Sequence, residues 1–122
     1  MRVFATKAFR RFQRKEQIEN SSLCEAILRA ERGLVDADLG RGLIKQRVAR
    51  KGQGRRGGFR TIVAYRAAER SVFMFGFANS RQANLSAADE RDLADFGALL
   101  LGLGDAAIET MLMGDELKEV AC

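Results

Sequence analysis

Residues 42–60 read GLIKQRVARKGQGRRGGFR, and the fold depends on how this stretch is organised. It contains seven Lys or Arg residues, five Gly residues and no acidic residue. Over residues 43–50 the side chains alternate with the two-residue period of a β-strand, which places Lys45 and Arg47 on one face. The glycines that follow permit a tight hairpin connection with positive φ. The stretch therefore predicts a strand and a following connection that both carry positive charge.

Residues 59–66 and 71–78 predict the remaining strands of an antiparallel meander. The first segment is rich in β-branched and aromatic side chains, and a short loop joins it to the second. The second segment puts three phenylalanines on one face, which indicates a core strand. These are Phe73, Phe75 and Phe77. A short additional strand is expected at residues 2–5.

Two helices are predicted before the meander. Residues 7–15 place two phenylalanines three apart among five cations, which suits a short basic amphipathic helix. A second helix is expected to be capped by the hydroxyl of Ser21 or Ser22 and to end at Gly33.

Helices are also predicted after the meander. Leucines and a phenylalanine recur at three- and four-residue spacing after Ser86, which is expected to cap a helix of about four turns. Asp105 is expected to cap a last short helix, and residues 115–120 are expected to add a further helical turn. The element order β-α-α-β-β-β-α-α predicts an α+β fold. Its antiparallel sheet is expected to be packed by two N-terminal helices and by C-terminal helices, in one domain over residues 1–122.

The charge distribution is uneven along the chain. The net charge is +5, yet residues 41–70 carry ten Lys or Arg against one acid. Residues 82–122 carry two cations against nine acids. Such a split indicates a positive surface that meets an anion, and nucleic acid is the expected anion because many cations release counterions from a polyphosphate. The alternative is a solvated basic surface that keeps the protein soluble.

Several classes of site are disfavoured by composition. The chain has no histidine, which excludes a Ser/His or Cys/His nucleophile pair, and no metal or other cofactor is expected. Cys24 and Cys122 are far apart and are expected to form neither a disulfide framework nor a metal site. No apolar run approaches the roughly 20 residues of a membrane helix, and the N-terminus lacks the apolar region of a signal peptide. A cytoplasmic location is therefore expected.

The glycine-rich connection matches the residue pattern of a dinucleotide-binding motif but not the structural context that this motif requires. Residues 52–57 read GQGRRG, but a strand rather than a helix follows them, so a phosphate would have no helix N-terminus to rest on. A hairpin connection that can fit itself to a phosphate backbone is the preferred interpretation.

Lys and Arg are therefore the candidate side chains for any catalysis. RNA cleavage by attack of a 2′-hydroxyl on the adjacent phosphate needs alignment, charge stabilisation and proton movement, and a cluster of cations can supply the stabilisation. A lysine crowded by arginines has its charged form disfavoured and could accept the proton. Lys45 and Arg47 point the same way, and Arg60 opens the next strand. The alternative for each is an ordinary surface cation on an exposed sheet.

A family resemblance rests on residues 42–50 and 52–61, on FMFGFA at 73–78, and on the segments 29–39 and 116–120. In these residues the chain resembles the RelE/HigB-like toxins of bacterial type II toxin–antitoxin systems. The resemblance implies a compact α+β fold and cleavage of mRNA in the ribosomal A site by Lys, Arg and Tyr without a metal. It also implies an antitoxin, often of the helix-turn-helix type, that neutralises the toxin and represses the operon with it. Operator DNA would be contacted only through the antitoxin.

The resemblance also implies roles for individual residues. Lys45, Arg47 and Arg60 fall where such toxins place cations on the RNA phosphate, and are the candidate catalytic residues. The candidate RNA-binding residues are Arg50, Lys51, Arg55, Arg56 and Arg81. The chain departs from its relatives at three positions where they carry functional residues, since it has Asn79, Ser80 and Ser86 there. The alternative function is a non-catalytic RNA-binding protein, or an inactivated toxin that acts as corepressor with its antitoxin.

Overall fold

The computed structural model of the protein describes residues 1–50, 54–78 and 85–122. Its elements in chain order are β1 (Arg2–Thr6), α1 (Lys7–Glu16), α2 (Asn20–Glu31), β2 (Ala37–Gly40), β3 (Leu43–Arg50), β4 (Gly54–Arg66), β5 (Arg70–Phe77), α3 (Ala87–Gly102), α4 (Asp105–Met113) and β6 (Leu117–Val120). Four of the residues singled out from the sequence lie outside the described part of the chain, namely Lys51, Asn79, Ser80 and Arg81.

The strands form one mixed sheet in the order β2-β3-β4-β5-β1-β6. Strands β3, β4 and β5 are antiparallel neighbours, as the meander predicts. Strand β1 runs parallel to β5 and antiparallel to β6, so the first strand of the chain lies inside the sheet. The α+β class, with the sheet packed by N-terminal and C-terminal helices, is confirmed. The sheet is mixed rather than antiparallel, because the long crossover between β1 and β5 allows a parallel pair.

Two strands were missed by the sequence analysis. Strand β2 forms a hairpin with β3 around Gly40, Arg41 and Gly42, which all have positive φ. The expectation of a helical turn over residues 115–120 is wrong, because Leu117–Val120 is strand β6. Leu117 and Val120 are both buried, in the cores on opposite faces of the sheet. Their three-residue spacing resembles a helical pattern when only the sequence is considered.

The helices cover the two faces of the sheet separately. Helices α1 and α2 contribute Phe9, Leu23 and Ile27 to a core with Val63 and Phe73. Helices α3 and α4 contribute to the core on the other face, with side chains from β1, β3, β4, β5 and β6. Its fully buried members are Phe4, Leu43, Ile62, Ala64, Val72, Leu100, Ile108 and Leu117. Helix α3 approaches the sheet closely at Gly97, where a Cβ atom would lie 3.2–3.3 Å from side-chain atoms of Ala64, Leu43 and Met74.

A β-bulge in β5 changes which phenylalanines share a face. Val63 pairs with Phe73, but Ile62 pairs with Phe75, so β5 has one extra residue at this point. Phe73 consequently packs in the core under α1 and α2, whereas Phe77 packs in the core on the opposite face. The expectation that Phe73, Phe75 and Phe77 lie on one face is therefore wrong. A one-residue shift moves every later side chain to the other face.

The two cysteines are joined, contrary to the sequence analysis. Cys24 of α2 and Cys122 form a disulfide with a Cα–Cα distance of 5.5 Å, across a sequence separation of 98 residues. The expectation that they do not pair rested on their distance in sequence. Strand β6 removes that distance, because its pairing with β1 carries the chain end back to α2.

The helix termini agree with the sequence in part. Ser86 caps α3 as predicted, since its hydroxyl accepts a hydrogen bond from the backbone N–H of Asp89 at 3.1 Å. Helix α2 instead begins at Asn20, with Glu19 as its N-cap, so Ser21 and Ser22 lie in its first turn rather than at its cap. Helix α4 begins at Asp105 itself, with Gly104 as N-cap.

Within the described residues, no single helix has the length and apolar character to cross a membrane. Helices α3 and α4 pass that test only when taken as a pair, and they are bent by 112° at their junction.

Candidate nucleic-acid interface

Three candidate catalytic cations lie on one face of neighbouring strands. Arg47 of β3 is directly opposite Arg60 of β4, and Lys45 is two residues before Arg47 on the same side. Directly opposite residues in an antiparallel pair have Cα atoms about 4.5–5.5 Å apart and point to the same face. Arg47 is exposed, and Lys45 and Arg60 are partly exposed. These three residues are called the cation row.

The same face continues onto β5 with two aromatic rings. Arg60 is opposite Phe77, and Ile62, the cross-strand partner of Lys45, is opposite Phe75. The cation row together with Phe75 and Phe77 is called the cation face. Helix α3 packs over the sheet at Leu43, two residues before Lys45, and Ile62, between Lys45 and Phe75, is fully buried in the core on the α3 side.

The backbone of β3 is braced at Arg47 by two side chains. Strand β2 pairs with β3 only as far as Ala37 opposite Lys45, so the outer edge of β3 has no strand beside Arg47. The carboxylate of Asp36 accepts a hydrogen bond from the backbone N–H of Arg47 at 2.6 Å. The guanidinium of Arg29 donates to the Arg47 carbonyl. These two side chains therefore bond the N–H and the carbonyl of Arg47, which a further strand would otherwise pair with.

Arg29 is itself held by acids on two sides. Its Nε donates to Glu25 Oε1 at 2.9 Å, one helical turn earlier, and its guanidinium lies 3.6 Å from Asp36. The side chain is almost fully buried, and a buried charge persists only where it is paired and hydrogen-bonded. Sequence reasoning did not assign this role to Arg29 or Asp36. The only available signal was the i, i+4 spacing of Glu25 and Arg29.

A buried amide fixes β3 from the face opposite the cation row. Gln46, which lies between Lys45 and Arg47, is fully buried among the side chains under α2. Its Nε2 donates to the carbonyls of Ala26 and Leu34, each at 3.0 Å, and its Oε1 accepts from the Asp36 N–H at 3.0 Å. The strand is therefore tied to α2 and to the segment before β2. This anchoring holds the neighbouring cations in one orientation.

The other candidate residues are not gathered with the cation row. The Arg50 guanidinium lies 4.5 Å above the ring of Phe59, on the α1 side of the sheet, and donates to the carbonyl of Ala78 at 3.0 Å. Arg55 and Arg56 belong to β4, while Lys51 and Arg81 are outside the described residues. Ser86 has its hydroxyl engaged in capping α3.

Tyr65, the one tyrosine of the chain, is also away from the cation face. Its side chain packs against the core under α1 and α2. Burial, and secondarily the negative charge of Glu31, raise the pKa of the Tyr65 hydroxyl above its usual value. The phenol therefore stays protonated over the physiological range and contributes packing.

In the described part of the chain, the guanidinium groups of Arg47 and Arg60 form no ion pair with a carboxylate. Arg60 donates instead to the carbonyl of Gly58 at 3.3 Å. Among the residues in the described ranges, no group of His, Cys, Asp or Glu is arranged to hold a metal ion. The arrangement suits an anionic ligand that brings its own negative charge.

The fold and this face define a small basic α+β protein whose sheet presents cations to an anion. A family model described as the RelE toxin of the RelE / RelB toxin-antitoxin system matches residues 1–120. The chain therefore belongs to the RelE toxin family, and the predicted resemblance to RelE is confirmed. A search of curated proteins found no match. As a RelE toxin, the protein is the toxin component of a toxin–antitoxin system, and its family implies an antitoxin partner.

Proposed function

We propose that the protein is a ribosome-dependent mRNA endonuclease that inhibits translation. The observation that carries this proposal is the placing of Lys45, Arg47 and Arg60 on one face of adjacent strands, with the two arginines directly opposite each other. Two guanidinium groups so placed can hold the non-bridging oxygens of one phosphate, because each guanidinium presents a planar fork of donors.

The proposed reaction is an internal transfer at phosphorus. The 2′-oxygen of the ribose forms a bond to phosphorus while the bond from phosphorus to the 5′-oxygen breaks. The 2′-hydroxyl loses its proton to a base, and the 5′-oxygen gains a proton from water. The products are a 2′,3′-cyclic phosphate and a 5′-hydroxyl end, and no oxidant, reductant or metal is consumed.

The cation row supplies the stabilisation that this reaction needs. Negative charge grows on the phosphate oxygens in the transition state, and fixed cations aimed at that charge need no reorganisation as it forms. Arg47 and Arg60 clamp the phosphate. Lys45 serves either as the proton acceptor or as a third stabilising charge. The bracing of the Arg47 backbone by Arg29 and Asp36 supports such a fixed geometry.

The partners follow from the same proposal. Arg50, Lys51, Arg55, Arg56 and Arg81 hold mRNA or ribosomal RNA beside the cation face. An antitoxin of the helix-turn-helix type neutralises the toxin by covering the cation face with acidic or apolar side chains, and it alone contacts operator DNA. Because mRNA and ribosomes are its targets, the toxin acts in the cytoplasm.

The test compares two double variants with equal loss of charge. Lys45→Ala/Arg47→Ala removes two members of the cation row. Arg32→Ala/Lys118→Ala removes two exposed cations, one from the C-cap of α2 and one from β6, and serves as the control. Induction of the wild type and of the control should arrest a bacterial culture and create mRNA fragments with 5′-hydroxyl ends. The cation-row variant should lose at least about 100-fold in cleavage rate, since one lost stabilising donor costs about 10²–10³-fold.

A wild type that leaves growth and message length unchanged would contradict the nuclease proposal. It would favour the second candidate, a non-catalytic RNA-binding toxin that acts as corepressor. One observation supports that candidate: Ser86, at a position where relatives carry a functional residue, is engaged in capping α3. Binding of RNA without cleavage, lost in the cation-row variant and kept in the control, would identify this second function.

A further inference from the structure

An aromatic ring stands exposed beside the cation row. Phe75 is 40% exposed, although it lies in the middle of a strand whose preceding residues are buried. Its ring meets that of the nearly buried Phe77 edge-on, with centroids 5.1 Å apart and an interplanar angle of 65°. Phe77 therefore supports Phe75 from one side and leaves part of its surface to solvent.

The bulge in β5 is the reason that Phe75 is on this face. Without the extra residue between the partners of Ile62 and Val63, the alternation along β5 would place Phe75 on the side of Phe73, under α1 and α2. Bulges recur beside functional sites, where they redirect a side chain. Here the bulge adds a flat apolar surface to a face that is otherwise positively charged.

The spacing between the ring and the cations suits a nucleotide chain. Lys45 of β3 and Phe75 of β5 are both cross-strand partners of Ile62 in β4. Their backbones are therefore two strand spacings apart, or about 10 Å. Single-stranded nucleic acids are bound by cations that follow the phosphates and by aromatic rings on which bases stack. The cation face combines both kinds of group.

We infer that Phe75 forms a nucleobase subsite, on which one base of a single-stranded RNA stacks while its phosphates lie on the cation row. This inference rests on the proposed RNA-directed function and adds to it the ligand group that contacts Phe75. The phenyl ring itself offers only an apolar stacking surface, so the subsite accepts any base and favours those that stack most strongly.

A different occupant of the same ring is a protein segment. Phe75 also borders a groove, whose apolar lining includes Leu93 and Phe96 of α3 and Met111 of α4. Phe96 is 42% exposed, close to the value for Phe75, but it lies on α3 rather than on the cation face. A ligand that fills the groove would contact both rings, whereas a base stacked beside the cation row would contact Phe75 alone.

The absence of tryptophan from the chain allows a direct test. Phe75→Trp and Phe96→Trp each introduce a single fluorophore at matched exposure. Each variant is titrated at low salt with a short 2′-O-methyl RNA, which cannot be cleaved by 2′-hydroxyl attack, and with an abasic oligomer of equal length. Quenching of Phe75→Trp by the RNA, with no response from Phe96→Trp and none to the abasic oligomer, is the expected result.

Affinity provides a second measurement. Phe75→Leu keeps an apolar side chain but removes the aromatic face, and it should weaken binding of the RNA by about 5- to 150-fold, the range for loss of one stacked base. Binding of the abasic oligomer should be unchanged. Wild-type affinity for the RNA in Phe75→Leu would overturn the subsite. If that variant does not fold, the fluorescence experiment decides alone.

The remaining outcomes separate the two proposals. RNA that binds, as shown by anisotropy of a labelled oligomer, without quenching Phe75→Trp would refute the subsite and leave the RNA-binding proposal standing. Equal quenching of both tryptophans would also refute it and would place the ligand in the groove. If neither oligomer binds, the subsite fails, and the growth and message-length assay decides the RNA-directed function separately.

Discussion

The buried amide of Gln46 offers the sharpest test of how the cation row is held. Replacing it in Gln46→Leu keeps the size of the side chain but removes three hydrogen bonds, to the Ala26 and Leu34 carbonyls and from the Asp36 N–H. At about 1 kcal/mol for each bond, the free energy of unfolding should fall by about 3 kcal/mol. For 122 residues this corresponds to a drop in Tm of about 12 °C.

The assay is urea unfolding followed by circular dichroism, with Gln13→Leu as the matched control. The Gln13 amide also donates twice, to the Ile18 carbonyl at 3.1 Å and to Asn20 Oδ1 at 2.8 Å, but it is only partly buried. Water can replace its partners, so the control should lose no more than about 1 kcal/mol. Equal losses in the two variants would refute the claim that Gln46 holds β3 through buried hydrogen bonds.

A charged variant adds a pH dependence of known sign. In Gln46→Glu the carboxylate cannot donate to either carbonyl, and burial disfavours its charge, so its folded-state pKa lies above the unfolded value of about 4.3. A raised carboxyl pKa makes the folded state more stable at low pH, and this benefit is lost as the pH rises. The deficit relative to wild type should therefore shrink between pH 7 and pH 5. A deficit that does not change with pH would contradict burial of this side chain.

Three other changes test separate features. In Gly76→Ala the new Cβ would lie 2.3 Å from the ring of Phe12, so stability should fall by about 1–3 kcal/mol and recover when Phe12→Leu is added. Cys122→Ser opens a disulfide with a separation of 98 residues, which should cost about 2–4 kcal/mol in non-reducing urea unfolding, while a reductant should lower the wild type to the same level. The Arg2 guanidinium holds the pKa of Glu119 below its usual value, so the stabilisation from this pair is present above about pH 4.3 and is lost on acidification. In Glu119→Gln, Tm should therefore fall less steeply than in the wild type as the pH is lowered.

Local patterns predicted the parts of the fold that depend on nearby residues. The alternation over residues 43–50 is confirmed by the buried Ile44, Gln46 and Val48 on one face of β3. The apolar spacing after Ser86 predicted α3, including its cap. These features follow from side-chain periodicity and backbone hydrogen bonding within a few residues, so the sequence is sufficient to locate them.

The features that were missed depend on contacts between distant segments. Strand β6 exists because β1 offers it an edge, and its two buried residues, Leu117 and Val120, pack on opposite faces of the sheet at a spacing that gives no strand periodicity. The bulge that places Phe73 and Phe75 on different faces depends on the register between β4 and β5, and the sequence of one strand alone does not determine that register. The disulfide follows from β6, since that strand returns the chain to α2.

The candidate site divides in the same way. The shared orientation of Lys45 and Arg47 follows from their spacing on one strand. The opposition of Arg60 to Arg47 depends on the register across the glycine-rich connection, and the bracing by Asp36 depends on where β2 ends. Charge density identified the region of the chain, whereas the positions of individual side chains required the tertiary structure.

The position of β1 between β5 and β6 bears on when the protein can acquire its fold. Its register joins Arg2 to Arg70 and Val3 to Val120, so β1 waits for two partner strands that are both synthesised after it. At about 5–20 residues per second, that interval lasts several seconds. A nascent chain that lacks β6 leaves one edge of β1 unpaired, so the sheet can be completed only after β6 has been synthesised.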